Sequence, residues 1–225
     1  MEASDPQAIE IADNVMLAMG GRKAWDDLQY ISWNFFGSRD LIWDKKNGRV
    51  RIDFPAQKTC YLINVYDNTG MVFIDGLPID EPDSLNKMVI QGKNIWINDS
   101  YWLVMPFKLK DTGVTLSYVR EDTLPDGHIA DVLGLTFNEV GVTPDNKYEV
   151  YVDKTDSLVK QWAYFQRYTQ DSASAIWPWD NYQQYGDLLF SADRSDNRGP
   201  GNVQVFAELP DAVFNDPEAV PVSMN

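Results

Sequence analysis

The chain has 225 residues, of which 44% are hydrophobic, enough for a real core and too many for a disordered chain. Its formal net charge is -15 with a pI of about 4.3, so it repels phosphate backbones and anionic lipid surfaces. This balance excludes nucleic-acid binding without a local basic patch, and Arg49, Arg51 and Lys58 near a hairpin read only as charges on a solvated strand face.

The first predicted element is a helix. Asp5-Pro6 is an N-cap followed by proline at the first helical position; Ile9, Ala12, Val15, Met16 and Met19 recur at helical spacing, and Gly20-Gly21 closes it. A short second turn, Lys23 to Leu28, carries Trp25. Strands follow. Ile31, Trp33 and Phe35 share a face of Tyr30–Gly37, Leu41 and Trp43 share a face of the next strand, and Asn47-Gly48 is a hairpin signal. Val50, Ile52 and Phe54 alternate with Arg49, Arg51 and Asp53 in a half-buried strand. The stretches 59–66 and 71–74 are instead apolar on both faces, with Cys60, Leu62 and Tyr66 pointing one way and Tyr61, Ile63 and Val65 the other.

From Glu81 the period changes. Leu85, Met88 and Val89 predict a helix that runs into the aromatic block Ile95–Leu109, which holds Trp96, Tyr101, Trp102, Met105, Pro106 and Phe107, with Pro106 ending the helix. So much apolar surface in one segment must be buried against something, and the second apolar face of the central strands is the available counterpart. The second half reads as a meander. Val114–Tyr118, Ile129–Asn138, Tyr148–Asp153, Ser157–Tyr168, Leu188–Ala192 and Val203–Leu209 are its strands, and the tail after Pro210 is expected to be loosely held. The pattern predicts a mainly β (α+β) fold of roughly ten antiparallel strands, an N-terminal helix over 1–28 and a helical, aromatic lid over 81–106, all in one domain spanning 1–225.

The sequence offers little chemistry. Cys60, the only cysteine, reads as a small buried hydrophobe. His128, the only histidine, reads as a solvated turn residue, and neither a His-based triad nor a zinc site is indicated. Ser100 lacks the nucleophile-elbow glycines and reads as a helix N-cap. Asp99, Asp111 and Asp180 are the carboxylates nearest to aromatic residues, and surface charge accounts for each. The segment Asp75–Asp83 lacks calcium-loop spacing, and Gly20-Gly21-Arg22 lacks the length and lysine of a phosphate loop. Trp177-Pro178-Trp179, with Tyr182 and Tyr185, either caps an open sheet edge or is exposed for stacking on sugar rings or a partner, the cap being favoured. No metal, cofactor or catalytic residue is expected. No transmembrane helix or signal peptide is present, so an export signal would lie upstream of Met1.

The order of elements, together with Met19-Gly20-Gly21-Arg22-Lys23-Ala24-Trp25, the block Trp96–Pro106 and the hairpin Tyr151–Trp162, resembles the LolA/LolB-type lipoprotein-carrier fold and uncharacterised bacterial envelope proteins with that predicted fold. The resemblance implies a curved antiparallel half-open barrel with an internal helical lid, located in the periplasm or anchored as an outer-membrane lipoprotein. It also implies an apolar groove for acyl chains and an arginine on a sheet strand that latches the lid, a role open to Arg39, Arg49, Arg51 and Arg167. The expected function is non-enzymatic binding, by a monomer, of a hydrophobic small molecule, lipid or acylated protein. The groove wall is expected from Trp33, Phe35, Trp43, Ile63, Val65, Phe73, Trp96, Trp102, Met105 and Phe107. The alternatives are an interaction or scaffold module with a packed interior and a carboxylate-dependent hydrolase.

Overall fold

The computed structural model of the chain describes residues 4–137 and 146–219; residues 1–3, the end of the predicted strand at Asn138 and the tail from residue 220 lie outside the described residues. The helices are α1 (Pro6–Ala18), α2 (Gly21–Asp27) and α3 (Pro82–Val104). The strands are β1 (Tyr30–Phe35), β2 (Arg39–Asp44), β3 (Arg49–Phe54), β4 (Thr59–Asn64), β5 (Thr69–Ile74), β6 (Leu77–Pro78), β7 (Val114–Thr123), β8 (Ile129–Phe137), β9 (Lys147–Asp153), β10 (Val159–Phe165), β11 (Ala175–Pro178), β12 (Tyr182–Tyr185), β13 (Leu188–Ser191) and β14 (Gly201–Phe206). The fold is α+β and mainly β, with open, antiparallel sheets, as the pattern predicts. The three strands that lie outside the predicted stretches, β6, β11 and β12, are pieces of two to four residues.

The chain forms two compact units, one drawn from Met1–Trp25 and Leu103–Arg198, the other from Asp26–Trp102 and Gly199–Asn225. In the first, α1 starts as the sequence dictates: the Asp5 carboxylate accepts from the Gln7 N–H at 2.9 Å and Pro6 occupies the first turn. The same entry segment covers the outer edge of β7, with the Asp5 N–H donating to the Leu116 carbonyl and the Leu116 N–H to Ser4 Oγ. The helix ends at Gly20, whose φ of +112° and backbone approach to Asp187 leave no room for a Cβ. The five-stranded sheet has the order β11-β10-β9-β8-β7, and β12 and β13 form a separate hairpin. Trp25 stacks on Phe107 at 4.5 Å, and Phe107 packs on Phe190 at 5.3 Å, so the end of the aromatic block lies in this unit's core.

The second unit is a seven-stranded sheet, β14-β1-β2-β3-β4-β5-β6, with α3 against it. Directly paired residues share a face, so the register defines two faces. One carries Ile31, Trp33 and Phe35 with their partners Trp43, Leu41 and Arg39, then Val50 and Ile52, then Ile63 and Tyr61. The opposite face carries Tyr30, Ile42, Arg49, Arg51, Cys60, Leu62, Met71 and Phe73.

The segment after Pro210, expected to be loose, is held over its described part. Residues Asp211–Phe214 form a single 3-10 turn, and Val213 and Phe214 are buried against Tyr30 and Ile42 on the second face. The reason is Arg51, which is buried and donates to the carbonyls of Val213, Asp216 and Pro217. The expectation of a loose tail came from the local sequence after Pro210; the arginine that binds the Pro217 carbonyl lies 166 residues away.

Candidate functional site

The helix α3 is the candidate lid. Glu81 caps it, its carboxylate accepting from the N–H groups of Asp83 and Ser84, with Pro82 in the first turn. The helix runs unbroken through Trp96 and Trp102 to Val104, where Pro106 forces a 3-10 turn over Met105–Lys108. It crosses the first face of the sheet. Gly92 meets β4: a Cβ there would sit 2.9 Å from Tyr61 Cδ1 and 3.0 Å from Ile63 Cδ1. Trp96 meets Trp43 of β2 edge-on at 5.2 Å, and Trp102 meets Phe35 of β1 at 6.4 Å and the adjoining Phe36 at 5.4 Å. Ten helical residues advance about 15 Å, and β4 to β1 spans three strand spacings, about 14 Å, so one side of the helix bridges the sheet centre.

The lid is fastened by an ion pair. Arg39, in phase with Leu41 and Trp43 on β2, projects from the apolar face and forms a two-pronged bridge to Asp99 of α3. Its Nε lies 2.6 Å from Oδ2 and its Nη2 2.7 Å from Oδ1. The Asp99 side chain is wholly buried and that of Arg39 is 19% exposed. Burial pushes the Asp99 carboxyl above its ordinary range, against the pull of Arg39 and of the Asn98 amide. The Arg39 guanidinium also lies over the rings of Phe35, at 4.5 Å, and Phe54, at 5.4 Å. The other arginines open for the latch role are engaged elsewhere: Arg49 with Asp44 and Asp211, and Arg51 with Asp53 and the C-terminal segment. Arg167 belongs to the other unit.

Of the ten residues expected to line a groove, the structure brings Trp33, Phe35, Trp43 and Ile63 to one sheet face and sets Trp96 and Trp102 of α3 on that side. Val65, just past the end of β4, is buried in the same unit. Phe73 does not belong with them. It pairs with Cys60, which places it on the opposite face, because its apolar run offered no alternation from which to read its side. Met105 and Phe107 belong to the other unit's core, since the helix has ended before them. Trp33 is 0% exposed, and its indole N–H, like that of Trp96, is buried without a hydrogen-bond partner among the described residues.

The remaining candidates have structural partners. Ser100 is no N-cap: it lies inside α3 and donates to the Ile97 carbonyl. Asp111 pairs with Lys108, and Asp180 accepts from Ser195, so neither Asp99, Asp111 nor Asp180 has another of the three as partner. His128 is half-exposed, with Nδ1 2.8 Å from a buried Asp153 oxygen. That hydrogen bond raises the histidine pKa. Burial alone would raise Asp153, but the His128 bond and the Thr155 N–H bring it net below the ordinary range. Trp177 and Pro178 lie on β11, the edge strand beside β10, and Trp179 is buried under the Arg194 guanidinium at 3.5 Å. Cys60 is half-buried, its thiol kept neutral first by burial and then by nearby Asp53. It lines an open cleft of about 190 Å³ with Phe54, Lys58, Phe73, Pro217 and Glu218, on the side away from α3.

Asp99, read as surface charge, is instead the buried partner of Arg39, and the choice of Arg39 among the four candidate arginines left a mark in the sequence, as a charged residue in phase with Leu41 and Trp43 signals a buried partner. A glycine inside a helix, unfavourable by about 1 kcal/mol relative to alanine, signals close approach, which singles out Gly92.

No family model matches the chain, and no curated protein matches it. Solved structures are similar to the chain, two of them as follows. A DUF1329 family protein from Desulfovibrio piger is 14% identical, covers 95% of this chain and 98% of its own, and superposes with a TM-score of 0.50. MucB in complex with MucA(peri) is 13% identical, covers 96% of this chain and 62% of its own, with a TM-score of 0.28. The first shares the fold. Among the described residues, no helix is long and apolar enough to cross a membrane.

Proposed function

We propose that the chain is a non-enzymatic binding protein of the bacterial envelope that takes an acyl chain or comparable apolar ligand between the seven-stranded sheet and α3. The observation that carries this reading is the construction of the lid: an aromatic sheet face roofed by one helix, with the Arg39–Asp99 bridge as its clasp and two buried indole donors, on Trp33 and Trp96, lacking acceptors. Unmade buried hydrogen bonds cost about 1–3 kcal/mol each, and an ester or amide carbonyl of an acylated ligand would supply the acceptor. Trp33, Trp43 and Ile63 on this face are buried, and ligand pockets need roughly 300 Å³ or more, so in this reading α3 lifts to admit the ligand. Each methylene then buried on the exposed face contributes about 0.8 kcal/mol. The resemblance to lipoprotein carriers supports the acyl ligand, the periplasmic location, and one functional domain over 1–225.

The complete burial of Trp33 equally favours the second reading, an interaction module whose interior is simply packed. Native mass spectrometry of delipidated protein with a palmitoyl lysophospholipid, combined with hydrogen exchange across α3, separates the two. A bound adduct, with faster exchange in residues 82–104 than in β1–β4 before binding, is expected. The absence of any adduct, with α3 exchanging as slowly as the sheet, would leave the packed module standing.

A further inference from the structure

We propose that the sheet face opposite α3 is a peptide-binding surface, which residues 211–217 occupy in cis as a displaceable strap and which takes in trans an acidic segment with a similar apolar pair. The two sides of the sheet carry separate arguments, and this one does not depend on the acyl-ligand reading.

The described strap, Asp211-Ala212-Val213-Phe214-Asn215-Asp216-Pro217, adds no strand to the sheet; its only regular structure is one 3-10 turn. Its hold on the sheet has two parts. The first is an apolar pair: Val213 and Phe214 sit on Tyr30 and Ile42, the Phe214 ring 6.2 Å from that of Tyr30. The second is a pair of arginines. Arg51, 4% exposed and positioned by Asp53 at 2.6 Å, directs its guanidinium at three main-chain carbonyls, Val213 at 3.2 Å, Asp216 at 3.0 Å and Pro217 at 2.9 Å. Donation by a charged guanidinium to carbonyls reads the main chain whatever its side chains. Arg49, fixed by Asp44, covers the Phe214 ring at 4.6 Å and binds the Asp211 carboxylate at 2.9 Å. In a chain of net charge -15, two arginines gathered under an acidic segment form a complementary site, and they account for the basic residues of β3 that otherwise have no role. Recognition thus consists of an aromatic anchor, a backbone clamp and a flanking acid, all of which a separate peptide could provide.

The test uses the full chain and a labelled peptide of its own residues 209–219. Tethering holds the cis strap at an effective concentration in the millimolar range, so it outcompetes added peptide. The double variant Val213→Ala/Phe214→Ala is therefore expected to bind the peptide at least about tenfold more tightly than the wild type. Adding Arg51→Met, or replacing Phe214 by Ala in the peptide, is expected to abolish binding. Hydrogen exchange on the wild type supplies the second measurement, with residues 211–219 expected to open independently of β1–β3. A folded double variant that binds no better than the wild type overturns the proposal. So does exchange of 211–219 only together with β1–β3, which would make the segment part of the core; this second arm decides the matter if the double variant does not fold.

Discussion

Replacing Arg39 by alanine leaves the Asp99 carboxylate buried under an aromatic sheet with the Asn98 amide as its remaining side-chain partner. Two unit charges about 4 Å apart attract by about 4 kcal/mol at an effective dielectric constant of 20. The desolvation of a buried carboxylate is a cost of similar size, several kcal/mol. In the wild type the two nearly cancel, which is why burial still pushes Asp99 up despite the bridge. In Arg39→Ala only the cost remains, so the variant should lose about 3–5 kcal/mol. For a chain of this length that lowers Tm by roughly 6–20 °C. The pH dependence carries the sign. Folding holds a proton on Asp99 more tightly than the unfolded chain does, so the penalty is full above the folded pKa and shrinks as pH falls towards the unfolded value, about 3.9. Urea unfolding of Arg39→Ala should therefore show its largest deficit at neutral pH and a smaller one at about pH 4. Arg39→Met/Asp99→Leu, which removes both charges and keeps the volume, should be close to wild type or more stable. A loss below about 1 kcal/mol in Arg39→Ala, the range of an exposed pair, or a deficit that grows on acidification, would refute the assignment of this bridge as a buried clasp.

Three further outcomes follow from the packing. Phe107→Ala should cost about 3–5 kcal/mol and abolish the near-UV circular dichroism contribution of Trp25, because the ring stacks on Trp25 and Phe190 in a closed core; an unchanged spectrum would contradict the stacking. Gly92→Leu should cost about 1–3 kcal/mol by overpacking against Tyr61 and Ile63 and should accelerate exchange across α3; unaltered stability would mean that the helix does not approach β4 there. His128 should titrate above its ordinary range by NMR, with a stability contribution present below about pH 6.5 that is lost as pH rises through the folded pKa, and His128→Gln should flatten that profile; a histidine titrating at or below its ordinary value would refute the Asp153 contact.

What the sequence determined was local. Asp5-Pro6, the apolar spacing of α1, the alternation in β1 to β3 and the helical period after Glu81 each depend on neighbours a few residues apart, and the corresponding elements formed where the pattern put them. The excess of apolar surface in the aromatic block and on both faces of β4 was also legible, because burial must be satisfied somewhere, whereas Met71 and Ile74 of β5, expected to need a cover, stay exposed near the sheet edge. Which surfaces meet was not. Phe73 went to the far face because an apolar run without alternation carries no register information, and register is set by β4, its partner in the sheet. Pro106 divided the block, sending Trp96 and Trp102 to the sheet face and Phe107 to Trp25 and Phe190 in the other unit. The Arg39–Asp99 clasp spans 60 residues and the Arg51 clamp about 160, and no periodicity encodes pairs so far apart in sequence. Only the folded sheet, by bringing distant residues within hydrogen-bond reach, decided which arginine fastens the lid and which fastens the strap.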